Sequence, residues 1–256
     1  MPTKREHFRT LATECLANSR QLFRDAKRLR RAGSRGHSIA LAILSIEESS
    51  KSLIYREVSE GVLRIVRKNP NHVTSFTESE LRDHRFKHGV LARALIDYVQ
   101  YGPFYELAGQ LRKPRFSKAD VRELIHRAIH AHRILQVDLS SGGRTARDFQ
   151  RILALLEQLN DLKNRGFYVG DSKGKVIRPK EIRPKDLAEV LGLAEGAIEI
   201  SSETLHRPYS AREKKLQKEA NAAMLSSIRT ARRRTATKER RPLVEGRARR
   251  AHRSKK

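Results

Sequence analysis

The sequence predicts a mainly α-helical fold: a bundle of helices with a short extended or hairpin-like insertion near residues 167–183 and a basic C-terminal tail. Three observations carry that expectation. Apolar residues recur at intervals of three and four through most of the first 205 residues, the period of an amphipathic helix. Alternation of β-branched and aromatic residues is confined to FYVGDSKGKVIRPKEIRP, directly after Gly166. The breaks between periodic segments are short and built from Gly, Pro, Asn and Ser, as expected of helices joined by turns.

The first helix is expected from about His7 to Ala32, where Leu11, Cys15, Leu22, Ala26 and Leu29 form a stripe with Asn18 in its one gap. Basic residues from Arg24 to Arg31 suit the negative end of the helix dipole, and Gly33 is a reasonable stop. The second helix runs from about Arg35 to Lys68. It is apolar nearly all round between Ile39 and Ile46, which places it centrally with neighbours on several sides. Asn69, Pro70 and Asn71 end it.

Thr77 and Glu80 form a capping box that opens a third helix, to about Gln100. Ser117 caps a fourth, through about Val137, with Val121, Leu124, Ile125, Ala128 and Ile129 on its apolar face. The fifth, about Thr145 to Asn164, has the most regular core face, built on Ile152, Leu156, Leu159 and Leu162. A sixth, about Pro184 to Leu205, follows the insertion. A further helix is allowed around Ala211 to Thr230, but the run from Arg232 onward has too few apolar residues to pack and is expected to be disordered alone. The chain therefore divides into a helical domain, 1–206, and a basic tail, 207–256.

The 256 residues carry 55 Lys and Arg against 29 Asp and Glu, a net charge of +26. No globular fold needs that excess, and it points to a polyanionic partner, RNA or another nucleic acid first. Residues 207–256 hold 18 Lys and Arg against 4 Glu, so more than half of the excess sits in the tail. Arg232, Arg233, Arg234, Arg240, Arg241, Arg247, Arg249 and Arg250 are the candidate nucleic-acid contacts there. No aromatic residue follows Tyr209, so the binding expected is electrostatic and salt-sensitive without base stacking. The single cysteine, Cys15, excludes an intramolecular disulfide framework and a thiolate zinc site. The charged N-terminus and the short apolar runs predict a cytoplasmic protein with no signal peptide and no membrane partner.

Glu47, Glu48 and Lys51 follow the apolar stretch SIALAILSI, and burial there is costly unless other helices supply partners. Glu47 with Lys51 is also the spacing of an ordinary intrahelical pair. Partners are on offer: Asn18 and Asp25 lie seven apart on the first helix, and His84 and His88 continue the Leu91 and Leu95 stripe of the third. Glu47, Glu48 and His84 would make a chemically acceptable metal ligand set, but Lys51 would sit beside the cation, and neither a metal nor a cofactor is expected.

The segment NSRQLFRDAKRLRRAGSRGHSIALAILSIEESSK resembles the opening helical pair of the AbiV-type abortive infection proteins, within the HEPN helical superfamily. The matching residues are Asn18, Asp25, Ala26, Gly33, Ala40, Ala42, Glu47, Glu48 and Lys51. DHRFK, with His84 and Lys87, and LKNRGFYVGD, with Lys163, Gly166, Tyr168 and Val169, resemble two later family segments in the same order. The chain departs from the family at Gly170, where an acidic residue is more usual and Asp171 comes one place later.

The resemblance, over about residues 8–200, implies a HEPN-like antiparallel bundle, a homodimer and a role in phage defence. It also implies a metal-independent ribonuclease built on an Arg and a His separated by four to six residues. Arg82 with His88 satisfies that spacing, and so does Arg127 with His132, but His132 falls on an apolar face and reads as a core or interface histidine. In the catalytic reading His88 is the general base, Arg82 stabilises phosphate charge, and His84 or Lys87 is a second donor or clamp. Asn18, Asp25, Glu47, Glu48 and Lys51 then support them. In the alternative reading the same residues are a packing network, in a non-catalytic module that binds a phage or host protein.

Overall fold

The computed structural model describes residues 3–67, 74–84, 86–95, 97, 144–167, 170–172, 175–177, 179–205, 209–226 and 228–230. The helix expected at 117–137, the Arg127 and His132 pair, and the tail arginines lie outside them. The described chain is mostly helical, as the apolar periodicity predicts.

Helix α1 spans Lys4–Arg31 and α2 spans Arg35–Ser59. α1 starts earlier than the stripe alone suggests because Thr3 caps it: the Glu6 amide donates to Thr3 Oγ1 and the Thr3 amide to Glu6 Oε2, a complete capping box. Gly33, at φ 78°, makes the turn between the two helices. The buried face of α1 is Ala12, Leu16, Ser19, Phe23 and Ala26, while Leu11, Cys15, Leu22 and Leu29 are half-buried at its margin.

Serines on α2 set the approach of the pair. Ser38, Ser45 and Ser52 are seven apart, and each donates its hydroxyl to a carbonyl of the antiparallel α1: to Ala26 at 2.7 Å, Ser19 at 2.9 Å and Ala12 at 2.7 Å. Ser19 answers from α1, 2.8 Å from the Ser45 carbonyl and 2.7 Å from Ser49 Oγ. Small side chains let the backbones close up, and each hydroxyl bond adds about 1 kcal/mol while leaving no buried donor unmet.

α2 ends before Lys68. Gly61, at φ 70°, turns the chain, and Arg64–Val66 leaves as strand β1, paired in parallel with β2, Ser75–Thr77. Strands are thus present outside the expected insertion. The Thr77 and Glu80 capping box forms as the spacing predicts, but its helix, α3, is only Glu78–Arg82. Asp83 is extended, ψ 126°, and helical structure resumes in α4, described at residues 84, 86–95 and 97.

Helix α5, Arg144–Phe167, runs antiparallel to α2, and β3, Gly170–Ser172, with β4, Lys175–Ile177, forms the expected antiparallel hairpin. A 3-10 turn at Pro179–Glu181 leads to α6, Pro184–Leu205, which lies across α1 through Arg20 to Ser202 (2.8 Å) and Lys27 to Glu195 (3.5 Å). The last described helix, α7, covers residues 211–226 and 228–230.

α2 is the spine of the core. Ile39, Ile43, Ile46 and Ile54 are fully buried among Phe23 of α1, Phe86 and Leu91 of α4, Leu159 of α5 and Val190 of α6. Residues 209–230 are joined to this body: Leu225 belongs to the same core cluster, and Asn221 is fully buried.

Two glycines fix how closely α5 and the 3-10 turn approach α2. A Cβ on Gly166 would stand 2.5 Å from the Gly36 carbonyl oxygen, and one on Gly36 would stand 2.4 Å from Pro179 Cβ. Gly166→Ala is therefore expected to cost about 1–3 kcal/mol in urea unfolding, because backbone must move. Gly192→Ala, in α6 with nothing within 4 Å of the new Cβ, is expected to gain about 0.5–1 kcal/mol in the same experiment.

Candidate functional site

Helices α2, α4 and α5 each contribute to one polar cluster. Its centre is Glu47, 5 % exposed, placed by α2 on the face that continues Ile39, Ala40 and Ile43. Lys87 Nζ of α4 donates to Glu47 Oε2 at 2.7 Å, and Lys163 Nζ of α5 to Oε1 at 2.8 Å. His84 Nδ1, at the start of α4, lies 2.8 Å from the same Oε1. Lys163 Nζ is 3.3 Å from His84 Nε2, which closes the group. Three proton-bearing side chains from two helices thus converge on one carboxylate.

The environment sets the charge states. Burial works to raise the Glu47 carboxyl, but hydrogen bonds from Lys163 and Lys87 outweigh it and bring the pKa down to about 2. Burial lowers the His84 pKa, with Lys163 and Lys87 adding to it against the pull of Glu47. His88, only 8 % exposed, is pushed by burial down to about 4. Both imidazoles are neutral at pH 7, beside two ammonium groups. With Nδ1–H turned to Glu47, the lone pair of His84 falls on Nε2, and the His84 side chain is 36 % exposed.

The candidates named from sequence separate. His84, Lys87 and Glu47 come together, and His88 stands one turn along α4 with its ring 6.3 Å from that of His84. His88 Nε2 is buried and has no hydrogen-bond partner among the described residues. Arg82 is exposed, on α3, across the break at Asp83. Asn18 is exposed on α1, and Asp25 bonds Gln21 and Arg28 of its own helix, so neither reaches the cluster. Glu48 pairs with Lys51 at 2.5 Å on the flank facing Cys15, and the expected pairing of Lys51 with Glu47 is replaced by this one. Lys163 is the member that pattern reading left out of the site. Its signal is a charge on the Leu156 and Leu159 stripe of α5.

A second polar centre lies further along α2. Glu57 accepts from Arg93 of α4 and from Asn221 Nδ2 of α7 at 2.9 Å. Glu60 receives Arg5, Arg9 and Lys214, each at 3.0 Å. Burial would raise the Glu60 carboxyl, but those three cations outweigh it and bring it to about 2. Among the described residues, no group of three or more His, Cys, Asp or Glu side chains is arranged to hold a metal ion, and no helix is long and apolar enough to cross a membrane.

The mainly helical bundle is consistent with the HEPN class of fold. The match is to the AbiV family, over residues 7–199, and the chain belongs to that family of abortive-infection proteins of phage defence. No curated protein and no solved structure matches it.

The shifted groups fix the acid response. His84 and His88 are held below the ordinary 6.5, so the unfolded chain takes up protons first and stability falls as pH drops from 6.5 toward 4. Glu47 and Glu60 are held below 4.5, so the stability they add is complete above 4.5 and is lost as pH falls toward 2. Thermal midpoints measured across pH 7 to 2 should decline in both windows. His88→Gln should flatten the first window. Glu47→Gln should weaken the second and cost about 3–5 kcal/mol at neutral pH, since it strands buried Lys87.

Proposed function

We propose that this AbiV-family chain acts on RNA, as a metal-independent ribonuclease centred on His84. The observation that carries the reading is the solvent-facing imidazole of His84, oriented by buried Glu47 and flanked by the Lys163 ammonium. His84 Nε2 takes the proton of a ribose 2'-hydroxyl as that oxygen bonds to the adjacent phosphorus and the P–O5' bond breaks; water protonates the leaving 5'-oxygen, and Lys163 stands where charge would grow on the phosphate. Lys87 neutralises the second Glu47 oxygen, which keeps the carboxylate from attracting the proton outright. Burial of His88 gives it the part of a neutral neighbour to the His84 ring, and exposed Arg82 is free to meet the RNA backbone. A homodimer and a tail in contact with nucleic acid belong to the same proposal.

A second reading is favoured by one observation: Lys87 and Glu47 are both buried and mutually satisfied, which suits a cluster serving packing alone. The chain would then be a binding module for a phage or host protein. The readings separate in one assay, cleavage of total and transfer RNA by the purified full-length protein in EDTA. The ribonuclease reading expects cleavage that falls about a hundredfold or more in His84→Ala while the helical circular dichroism is kept. Loss in His88→Ala with retention in His84→Ala would hand the base role to His88. A folded wild-type protein that cleaves nothing favours the binding module.

The tail makes a separate prediction. Residues 231–256 hold 12 Lys and Arg against 2 Glu, and ending the chain at Thr230 should weaken RNA binding and flatten its dependence on salt, as read by fluorescence anisotropy.

A further inference from the structure

Helix α7 lies along α4 in the opposite direction, and its polar contacts are built in register. Gln217 Nε2 donates to Asp97 at 2.9 Å, Asn221 shares Glu57 with Arg93, and Met224 and Ile228 close over Gly89. A Cβ on Gly89 would stand 3.0 Å from Ile228 Cδ1, so the missing side chain makes the seat. At the two ends Lys214 pairs with Glu60 and Arg229 pairs with Glu80 at 3.2 Å while also donating to the Ser75 carbonyl. Tyr209, ahead of the helix, stacks on the Arg56 guanidinium at 3.8 Å.

The hold is mainly polar and ionic. Of the described side chains on α7, only Leu225 is apolar and fully buried, with Met224 and Ile228 partly buried beside it. The acids of the seat, Glu57, Glu60, Glu80 and Asp97, present carboxylates to cations and amides much as phosphates would. The stripe they complete on α4, Gly89, Arg93 and Asp97, is the neighbour of the stripe that carries His84, Lys87 and His88. One helix is therefore gripped on one side by α7 and on another by Glu47. Directly after α7 comes the basic segment beginning at Arg232.

We propose that residues 209–230 are a displaceable strap on α4: RNA phosphates compete with the seat carboxylates for Lys214 and Arg229, lift the strap, and free α4 together with the His84 and Lys87 cluster. The RNA trigger rests on the RNA-directed reading above; the strap and its ionic seat do not.

The test is hydrogen exchange on the full-length protein, alone and with an unstructured single-stranded RNA oligonucleotide, with heparin as a polyanion lacking bases and binding followed separately by anisotropy. Exchange at 211–226 should speed by about tenfold or more with RNA, with a smaller rise in α4 and none in the Ser38 to Ser52 segment. The double variant Lys214→Glu, Arg229→Glu should show the same release without RNA, and raised salt should produce it in the wild type with no substitution. A strap that stays protected under both charge reversal and high salt overturns the ionic seat. Release by charge and salt, with RNA bound to saturation and the strap still protected, overturns the trigger. Release by charge and salt with no RNA binding overturns the RNA-directed reading and the trigger together, and leaves the ionic strap standing.

Discussion

A carboxylate taken out of water must find cations, and in a chain of net charge +26 the few buried carboxylates decide where the basic elements go. α2 and its C-cap supply three of them: Glu47 and Glu57 within the helix, and Glu60 at the cap. Glu47 draws Lys87 and His84 of α4 and Lys163 of α5. Glu57 draws Arg93 of α4, and Glu60 draws Arg5 and Arg9 of α1 and Lys214 of α7. Four helices that would repel one another as free basic segments are tied to one spine. Hydrophobic burial around Ile39, Ile43, Ile46 and Ile54 supplies the bulk of the stabilisation, but it is indifferent to register. The carboxylates supply the register.

That division explains the serines. If α2 is to offer carboxylates to α4, α5 and α7, its remaining face must lock onto α1 without large side chains that would hold the two apart. Ser38, Ser45 and Ser52 meet the α1 carbonyls at Ala26, Ser19 and Ala12, and each pair of residue numbers sums to the same value, as an antiparallel heptad register requires. A one-residue slip would break all three bonds and rotate Glu47 away from Lys87. The hydroxyl ladder and the Glu47 cluster therefore enforce the same rotation of α2 from opposite sides.

The helical class, the Thr77 capping box, the turn at Gly33, the hairpin after Phe167 and the approach of His84 to Glu47 were legible in sequence, because each rests on local spacing or on a charge set among apolar neighbours. The rest turned on information that one strand of sequence does not display. Val62, Leu63, Ile65 and Val66 keep an apolar pattern past Gly61, so the end of α2 is marked only by the positive φ of that glycine. Asp83 interrupts the third helix with no proline or glycine to announce it. Asn18 fills a gap in the stripe counted from Leu11, yet the buried face is one residue over, on Ser19, and only the alignment of two serine heptads reveals it. Asn221 and Leu225 looked like tail, since α7 is too polar to advertise a core face, and its partners are acids 120 to 164 residues away.

The arrangement on α4 follows from the same economy of acids. Neighbouring stripes of one helix face two different carboxylates of α2: His84 and Lys87 turn to Glu47, and Arg93 turns to Glu57. Because α2 is rigidly registered to α1, the two sites cannot shift independently along it; a movement of α4 that lengthens one set of contacts strains the other. Burial raises the Asp97 carboxyl, and the hydrogen bond from Gln217 and the charge of Arg93 work against it. His84 sits at the free N-terminal end of α4, after the extended Asp83, where a small rotation changes its distance to Glu47 most. The histidine with access to solvent is thus also the member of the cluster whose geometry depends most on how α4 is held.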